Sequence, residues 1–229
     1  MAKEERKKAS FVHLRVKSAY SLLEGAVRPE DLARLARAGG MPAVAVTDAD
    51  NLFGVYEIGE TLVKAGVQPI VGCLLSVEFS ETPVGQHPGV RPKPPRLPLL
   101  VQNELGYRNL VKLLSAAYLD AQPGDWPHVT MEKLAAHSEG LIALTGGPGG
   151  PLNNLVVDAQ PDAAEALLLK LAKIFDGRLY IELQRHGLPE ERAAEDTLVE
   201  LAYTHAIPLV ATNDVHFGES NMYEAHDAL

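Results

Sequence analysis

FVHLRVKSAYSLLEG, Phe11 to Gly25, is the stretch from which the rest of the chain is read. Phe11, His13 and Arg15 alternate with apolar Val12, Leu14 and Val16, and this period of two predicts a strand buried on one side. Lys17 and Ser18 then leave the strand, and a turn carries Tyr20, Ser21 and Glu24 to Gly25. A strand end that delivers several polar side chains in succession is where α/β proteins build sites. A metal site would draw on His and carboxylate side chains; this strand supplies Arg15 and Lys17 instead.

The same kind of unit recurs downstream. RPEDLARLARAGG places Leu32, Leu35 and Ala36 at helical spacing, with Pro29 near its start and Gly39-Gly40 past its end. PAVAVTDADN predicts a short strand ending in Asp48 and Asp50, LFGVYEIGETLVKAG a helix, and QPIVGCLLSVEF a long apolar strand. Residues 80 to 96 are rich in proline, lack periodicity and predict a loop. Strands follow at LPLLVQN, GLIALTGG, RLYIEL and PLVATND. Helices follow at ELGYRNLVKLLSAAYLD, MEKLAAH, PLNNLVVDA, PDAAEALLLKLAKIF and PEERAAEDTLVELAYTHA, and NMYEAHDAL begins another. Seven strands separated mostly by helices predict a parallel α/β sheet or barrel. The lack of a dinucleotide fingerprint favours the barrel. The chain stops within a helical pattern, so it reads as a piece of a longer protein.

Composition bounds the function. The chain has 229 residues, 46% apolar and 22% charged, the balance of a soluble globular domain. A net charge of −9 argues against a general nucleic-acid binder, which needs an excess of Lys and Arg to neutralise phosphates. The single cysteine, Cys73, excludes an internal disulfide and fits a reducing cytoplasm. No apolar run reaches the roughly 18 to 20 residues of a membrane span. Residues 1–10 read as a charged, solvated tail rather than a signal peptide.

Polar residues gather at the C-terminal ends of the predicted strands, which share one face in a barrel: Arg15 and Lys17, Asp48 and Asp50, Asp214 and His216. The D-x-H of TNDVHF is either a metal-ligand pair or a loop carboxylate holding a histidine. Asp48 and Asp50 are either ion ligands or helix N-caps, the cap being the commoner role at a strand end. His186 reads as a turn histidine, while His87, His128, His137, His205 and His226 show no partner in the sequence. TGGPGGP, Thr145 to Pro151, lacks the Lys-Ser/Thr of a P-loop and predicts a tight turn before a helix. Cys73 falls inside an apolar strand and reads as core. Tyr107 and Asn109 read as residues that position a helix start.

FVHLRVKSAYSLLEG, AVAVTDADNLFG, PIVGCLLSVEF, LLVQNELGYRNL, GLIALTGG, YIELQRHG and VATNDVHF together resemble, in order, the polymerase and histidinol phosphatase (PHP) domain. The variant they resemble is the one at the N-terminus of bacterial DNA polymerase III alpha subunits, nearer the replicative than the error-prone form, over residues 11–229. The resemblance implies a distorted seven-stranded β/α barrel of the TIM-like, PHP type. In active members up to three metal ions, held by nine ligands at the strand ends, activate a water for phosphoesterase or exonuclease chemistry. Position by position, the family's opening H-x-H falls on Arg15 and Lys17. Further ligand positions fall on Ala49, Leu74, Arg96 and Gly147. Glu24, Asp214 and His216 remain as residual ligand positions.

This substitution pattern implies a degenerate site without catalytic residues. Arg15, Lys17 and Arg96 are expected to form an ion-pair cluster with Glu24, Asp48 and Asp214. No cofactor is expected beyond, at most, one weakly held divalent ion. The implied role is a scaffold in DNA replication, joined to the rest of a polymerase chain and docking the proofreading exonuclease (epsilon) subunit, with little direct DNA contact. The parent protein would be a DNA-directed DNA polymerase, a nucleotidyltransferase whose acidic metal site lies outside these residues. The alternatives are a metal-dependent phosphoesterase or 3′–5′ exonuclease using the residual ligands, and an independent sugar- or histidinol-phosphate phosphatase.

Overall fold

The computed structural model describes residues 11–79 and 93–228, so the tail at 1–10, most of the proline-rich stretch and His87 lie outside the described residues. In chain order the elements are α1 (Pro29–Ala38), β1 (Ala43–Ala49), α2 (Val55–Lys64), β2 (Gln68–Glu78), β3 (Arg96–Val101), α3 (Glu104–Leu119), β4 (Val129–Thr130) and α4 (Met131–Ala136). They continue with β5 (Leu141–Leu144), α5 (Pro151–Val157), α6 (Pro161–Ile174), β6 (Leu179–Leu183), α7 (Pro189–Thr204), β7 (Leu209–Ala211) and α8 (Tyr223–Asp227). Four helices, α1, α5, α6 and α7, open with proline in their first turn, where its fixed φ suits the helix and its missing N–H is no loss. Helix α3 is capped by Asn103, whose side chain accepts from the Gly106 amide.

The strands form one curled, mixed sheet in the order β1-β2-β3-β5-β6-β7, with β4 paired to the far end of β2. The expected parallel pairing holds for β1–β2, β5–β6 and β6–β7, but β3 runs antiparallel to both β2 and β5. Antiparallel neighbours need no helical crossover between them, whereas parallel neighbours do.

The Phe11–Val16 stretch corrects a second expectation. It is no regular strand, and it pairs through isolated bridges, His13 with Val44 and Val16 with Val215. Its backbone nevertheless spans the gap between β1 and the chain after β7. Ala45 and Thr47 amides donate to the His13 and Val16 carbonyls on one side, and Lys17 and Val215 exchange amide hydrogen bonds with Val215 and Arg15 carbonyls on the other. The seven-strand count stands with a changed membership, the short β4 taking the place expected for the first stretch. The predicted one-sided burial fails as well, because Arg15, Val16 and Lys17 are all buried. Val16 packs outward against α1 and α2 with Leu32, Ala36, Ile58 and Leu62, whereas Arg15 and Lys17 point into the barrel mouth.

The main core lies between β2, β3, β5 and β6 and the helices α3, α6 and α7, with Phe175, Leu99, Leu110, Leu141 and Leu168 fully buried. Cys73 belongs to this core, as expected, and burial pushes its thiol upward, out of reach as a nucleophile. No helix among the described residues is long and apolar enough to cross a membrane.

Candidate functional site

The strand ends converge on a mouth in which every central cation is held by carboxylates from elsewhere in the chain. Arg15 donates from Nη1 to the Gly146 carbonyl at 3.0 Å and to Glu182 Oε1 at 3.1 Å, and from Nη2 to Asp214 Oδ2 at 3.1 Å. Lys17 Nζ lies 3.3 Å from the same Asp214 oxygen and 3.5 Å from Glu24 Oε2. Arg96, at the start of β3, donates from Nη1 to Glu24 Oε2 at 2.7 Å and from Nε to Asp50 Oδ2 at 3.2 Å. Lys93 reaches the other Glu24 oxygen at 3.2 Å while its ammonium sits over the Trp126 ring. Four cations thus meet four carboxylates, and a cleft of about 730 Å³ lies above them.

The anchors beneath this layer are satisfied with care. Glu182 on β6 is fully buried, and accepts from the Gly146 amide, Gln184 Nε2, the Thr212 hydroxyl and Arg15. Asp50 takes the left-handed conformation, φ 53°, which Asp tolerates better than most residues, and this turns its carboxylate onto the Ser76 amide and hydroxyl. His216 donates from Nδ1 to the Glu24 carbonyl at 2.9 Å, and its Nε2 lies 3.5 Å from Asp214. His226, on α8, meets the same Glu24 carbonyl at 3.0 Å.

The electrostatics follow from this geometry. Burial alone would raise the Glu24 carboxyl, but the hydrogen bond and charge of Arg96, with Lys17 and Lys93, bring it down to about 2. Burial works against Asp214 more strongly still; the His216 imidazole and the charges of Arg15 and Lys17 outweigh it and hold the group well below the usual carboxylate range. Both carboxylates are therefore ionised across the working range of pH, as ion-pair partners must be.

Of the residual ligand positions, Glu24 and Asp214 both meet Lys17 and His216 lies beside Asp214, with Arg15 and Arg96 on the same carboxylates. Leu74 lines the cleft, Gly147 packs against the Gln184 side chain, and the Ala49 amide binds the Ser21 hydroxyl. Asp48 departs from expectation. It is no ion-pair partner and no helix cap, since it accepts from the Ser18 amide and hydroxyl at 2.7 Å and from the Ser21 hydroxyl at 2.6 Å. The short turn puts those serines directly over Asp48 and leaves no room for a guanidinium. Asp50 fills the role expected of Asp48, and it is not a cap either, because α2 begins at Gly54 without a side-chain cap.

Glu182, Gln184 and Lys93 went unnoticed in the sequence, although a carboxylate inside the apolar run LYIEL is itself a signal of a buried polar site. Asn109 does not position its helix start. It fastens α3 to the Glu139 carbonyl, while Asn103 does the capping. His186 is a turn histidine, as read, held at Nδ1 by the buried Glu191. His205 pairs with Glu165, and His128 bonds the Trp126 carbonyl. The glycine run forms a short 3-10 turn leading into α5.

Residues 13–186 match the family model of the PHP domain. The chain belongs to the PHP family. It is 49% identical over 220 residues to the DNA polymerase III subunit alpha of Caulobacter vibrioides, a match covering 96% of this chain and 19% of that protein. The corresponding subunit of Treponema pallidum is 39% identical, covering 96% of this chain and 19% of its own, and that of Pseudomonas aeruginosa 36%, covering 95% and 18%. This PHP chain therefore spans about a fifth of the length of the curated relatives it matches.

Among solved structures, the PHP fold is shared with a Bifidobacterium adolescentis protein described as a metal-dependent phosphoesterase, at a TM-score of 0.58, 16% identity, and 93% and 90% coverage of the two chains. It is shared also with an amidohydrolase from Chromobacterium violaceum holding sulfate and no metal, at 0.57, 15%, and 95% and 96%. The donor set in this chain does not fit a metal cluster of the family kind. Among the described residues no three His, Cys, Asp or Glu side chains are grouped to hold an ion, and the carboxylates at the mouth already face guanidinium and ammonium groups.

Proposed function

We propose that this PHP domain is a non-catalytic scaffold within a replicative DNA polymerase III alpha chain, in the cytoplasm, where it docks the proofreading exonuclease subunit. The observation that carries the reading is the insertion of Arg15, Lys17 and Arg96 among Glu24, Asp50, Glu182 and Asp214. Clustered carboxylates in a partly dry cavity repel one another unless a cation stands between them. Metal ions supply that charge in an active site; here covalently attached cations supply it. Among the described residues, Asp214 Oδ1 at the mouth is buried without a partner. An ion there would lie against Arg15 and Lys17, which already share the other oxygen of that carboxylate, and their repulsion opposes it.

Polymerisation itself requires residues outside this chain, and the acidic net charge of −9 suits protein contacts better than DNA contacts. The test is metal analysis of the purified chain together with a phosphodiester and phosphomonoester turnover assay, each with manganese or zinc added. The expected result is metal well below one equivalent and no turnover. Stoichiometric tightly held metal, with turnover abolished by Asp214→Asn, would overturn the proposal in favour of a metal-dependent phosphoesterase.

A further inference from the structure

Beside the ion-pair mouth, the chain exposes apolar side chains that its own fold does not use. Leu22 and Leu23 in the turn after Ser21 are each 77% exposed, Phe53 is 70% exposed, and Tyr56 on α2 is 76% exposed. The two segments that carry them are tied into one surface. The Tyr20 ring packs on Gly54, its hydroxyl bonds Glu57, and its carbonyl accepts from Asn51 Nδ2 at 3.1 Å. Asn51 in turn accepts from the Phe53 amide at 3.1 Å, so the loop that presents Phe53 is fixed to the turn that presents Leu22 and Leu23.

Leu23 adds a second observation. It sits at φ 62°, the left-handed region that glycine or asparagine occupies at little cost and a branched apolar side chain does not. Backbone strain is therefore carried here while a leucine faces water. Two carboxylates stand beside Tyr20 on this surface. Glu57 takes the Tyr20 hydroxyl, and Glu30 on α1 is near enough for its charge to act on that hydroxyl. Among the described residues neither carboxylate pairs with Lys or Arg.

We infer that Leu22, Leu23, Phe53 and Tyr56, with Glu30 and Glu57 at their edge, form a docking face for a segment of another protein whose apolar side chains are flanked by Lys or Arg. The inference rests on the scaffold reading and locates its docking function. Burial of the leucines and aromatics drives association, and the two carboxylates steer and orient a basic segment.

The test measures the affinity of the Met1–Leu229 chain for the purified proofreading exonuclease subunit of the same organism by calorimetry. Leu23→Gly combined with Leu22→Ser and Phe53→Ser is expected to weaken binding at least about 30-fold. Because Leu23→Gly relieves strain and all three side chains are exposed, the melting temperature should stay within about 2 °C, which a merely structural role would not allow. Glu30→Lys with Glu57→Lys should weaken binding about tenfold at low salt and by less at high salt. Leu169→Ser and Tyr203→Ser, on exposed positions of α6 and α7, should leave affinity unchanged. Binding that survives the triple substitution, or that is weakened as much by the α6 and α7 variants, overturns the docking face and leaves the docking reading intact. Failure of the unaltered chain to bind overturns both.

Discussion

Replacing Arg15 by methionine should unfold this domain more readily than any single change elsewhere at the mouth. Methionine keeps the aliphatic reach of the arginine stem and removes the charge and the hydrogen-bond fork. Three partners then lose one donor each: the Gly146 carbonyl, Glu182 and Asp214. Glu182 is fully buried and the Arg15 side chain is 7% exposed, so water cannot take over the pairing without opening the barrel. Breaking a buried pair by deleting one partner costs about 3 to 5 kcal/mol, most of it from the charge left behind. Glu182 keeps its bonds from Gly146, Gln184 and Thr212, which places the expectation near the lower end, about 3 kcal/mol. For a chain of this size that is a fall in melting temperature of roughly 6 to 12 °C. The assay is thermal and urea unfolding followed by far-UV circular dichroism. Neutralising the stranded charge should restore part of the loss, so Arg15→Met with Glu182→Gln should be more stable than Arg15→Met alone. A shift below about 2 °C for Arg15→Met, or a double variant no better than the single one, would refute the view that the pair matters through charge balance.

Other consequences can be checked with the same measurements. Glu24 is held at about 2 in the folded chain against an ordinary value of 4.5, so its contribution is complete above about pH 4.5 and is lost as pH falls toward 2. Allowing for its partial exposure, the difference in unfolding free energy between the natural chain and Glu24→Gln should be about 1 to 2 kcal/mol at pH 7 and vanish near pH 2. Asp48→Ala removes the acceptor for Ser18 and Ser21 and should cost about 2 to 3 kcal/mol, with no change in any metal content. Gly106→Ala would place a methyl group 1.8 Å from the Gly140 carbonyl oxygen, so α3 must shift off the β5 entry, and soluble folded protein should fall sharply on expression.

Fold class was legible in the sequence because each helix and strand carries its own local signal. Pro29 near its start marked α1, and the apolar run of β2 was plain. The direction of β3 was not legible. Whether a strand returns parallel or antiparallel depends on where the connection leads, and the Pro-rich residues before Arg96 carry no periodicity to reveal it. The first stretch misled for a related reason. Its alternation is real, but burial there is set by two environments, helices outside Val16 and carboxylates around Arg15 and Lys17, so period and exposure part company. At the site, Arg15, Lys17, Arg96, Glu24 and Asp214 were found by their place in a pattern of motifs. Asp48 and Asp50 could not be told apart, since they lie two residues apart on the same strand end, and only the left-handed turn at Asp50 sends one to Arg96 and leaves the other under the serines.

An apolar plug could also have filled the mouth, and replacing buried ion pairs by well-packed apolar groups is often stabilising. The location of the pairs explains why charges suit this barrel better. The sheet is continuous from β1 to β7, and among the described residues the bridges His13–Val44 and Val16–Val215 span the gap between its two edges. Arg15 and Lys17 lie in that seam, and their partners lie on the far side of it: Glu182 on β6, and Asp214 just beyond β7, 199 positions from Arg15 in the chain. Arg96 makes a matching link from β3 to Glu24 in the turn and Asp50 after β1. A methyl group in the seam would contact any neighbour equally well, whereas a guanidinium held by one carbonyl and two carboxylates accepts one register alone. In this barrel the cations therefore draw the two edges of the sheet together and fix their alignment. The adjoining Leu22–Leu23 turn is built on the same seam, through Ser18, Ser21 and Asp48, so its rigidity is inherited from the closure.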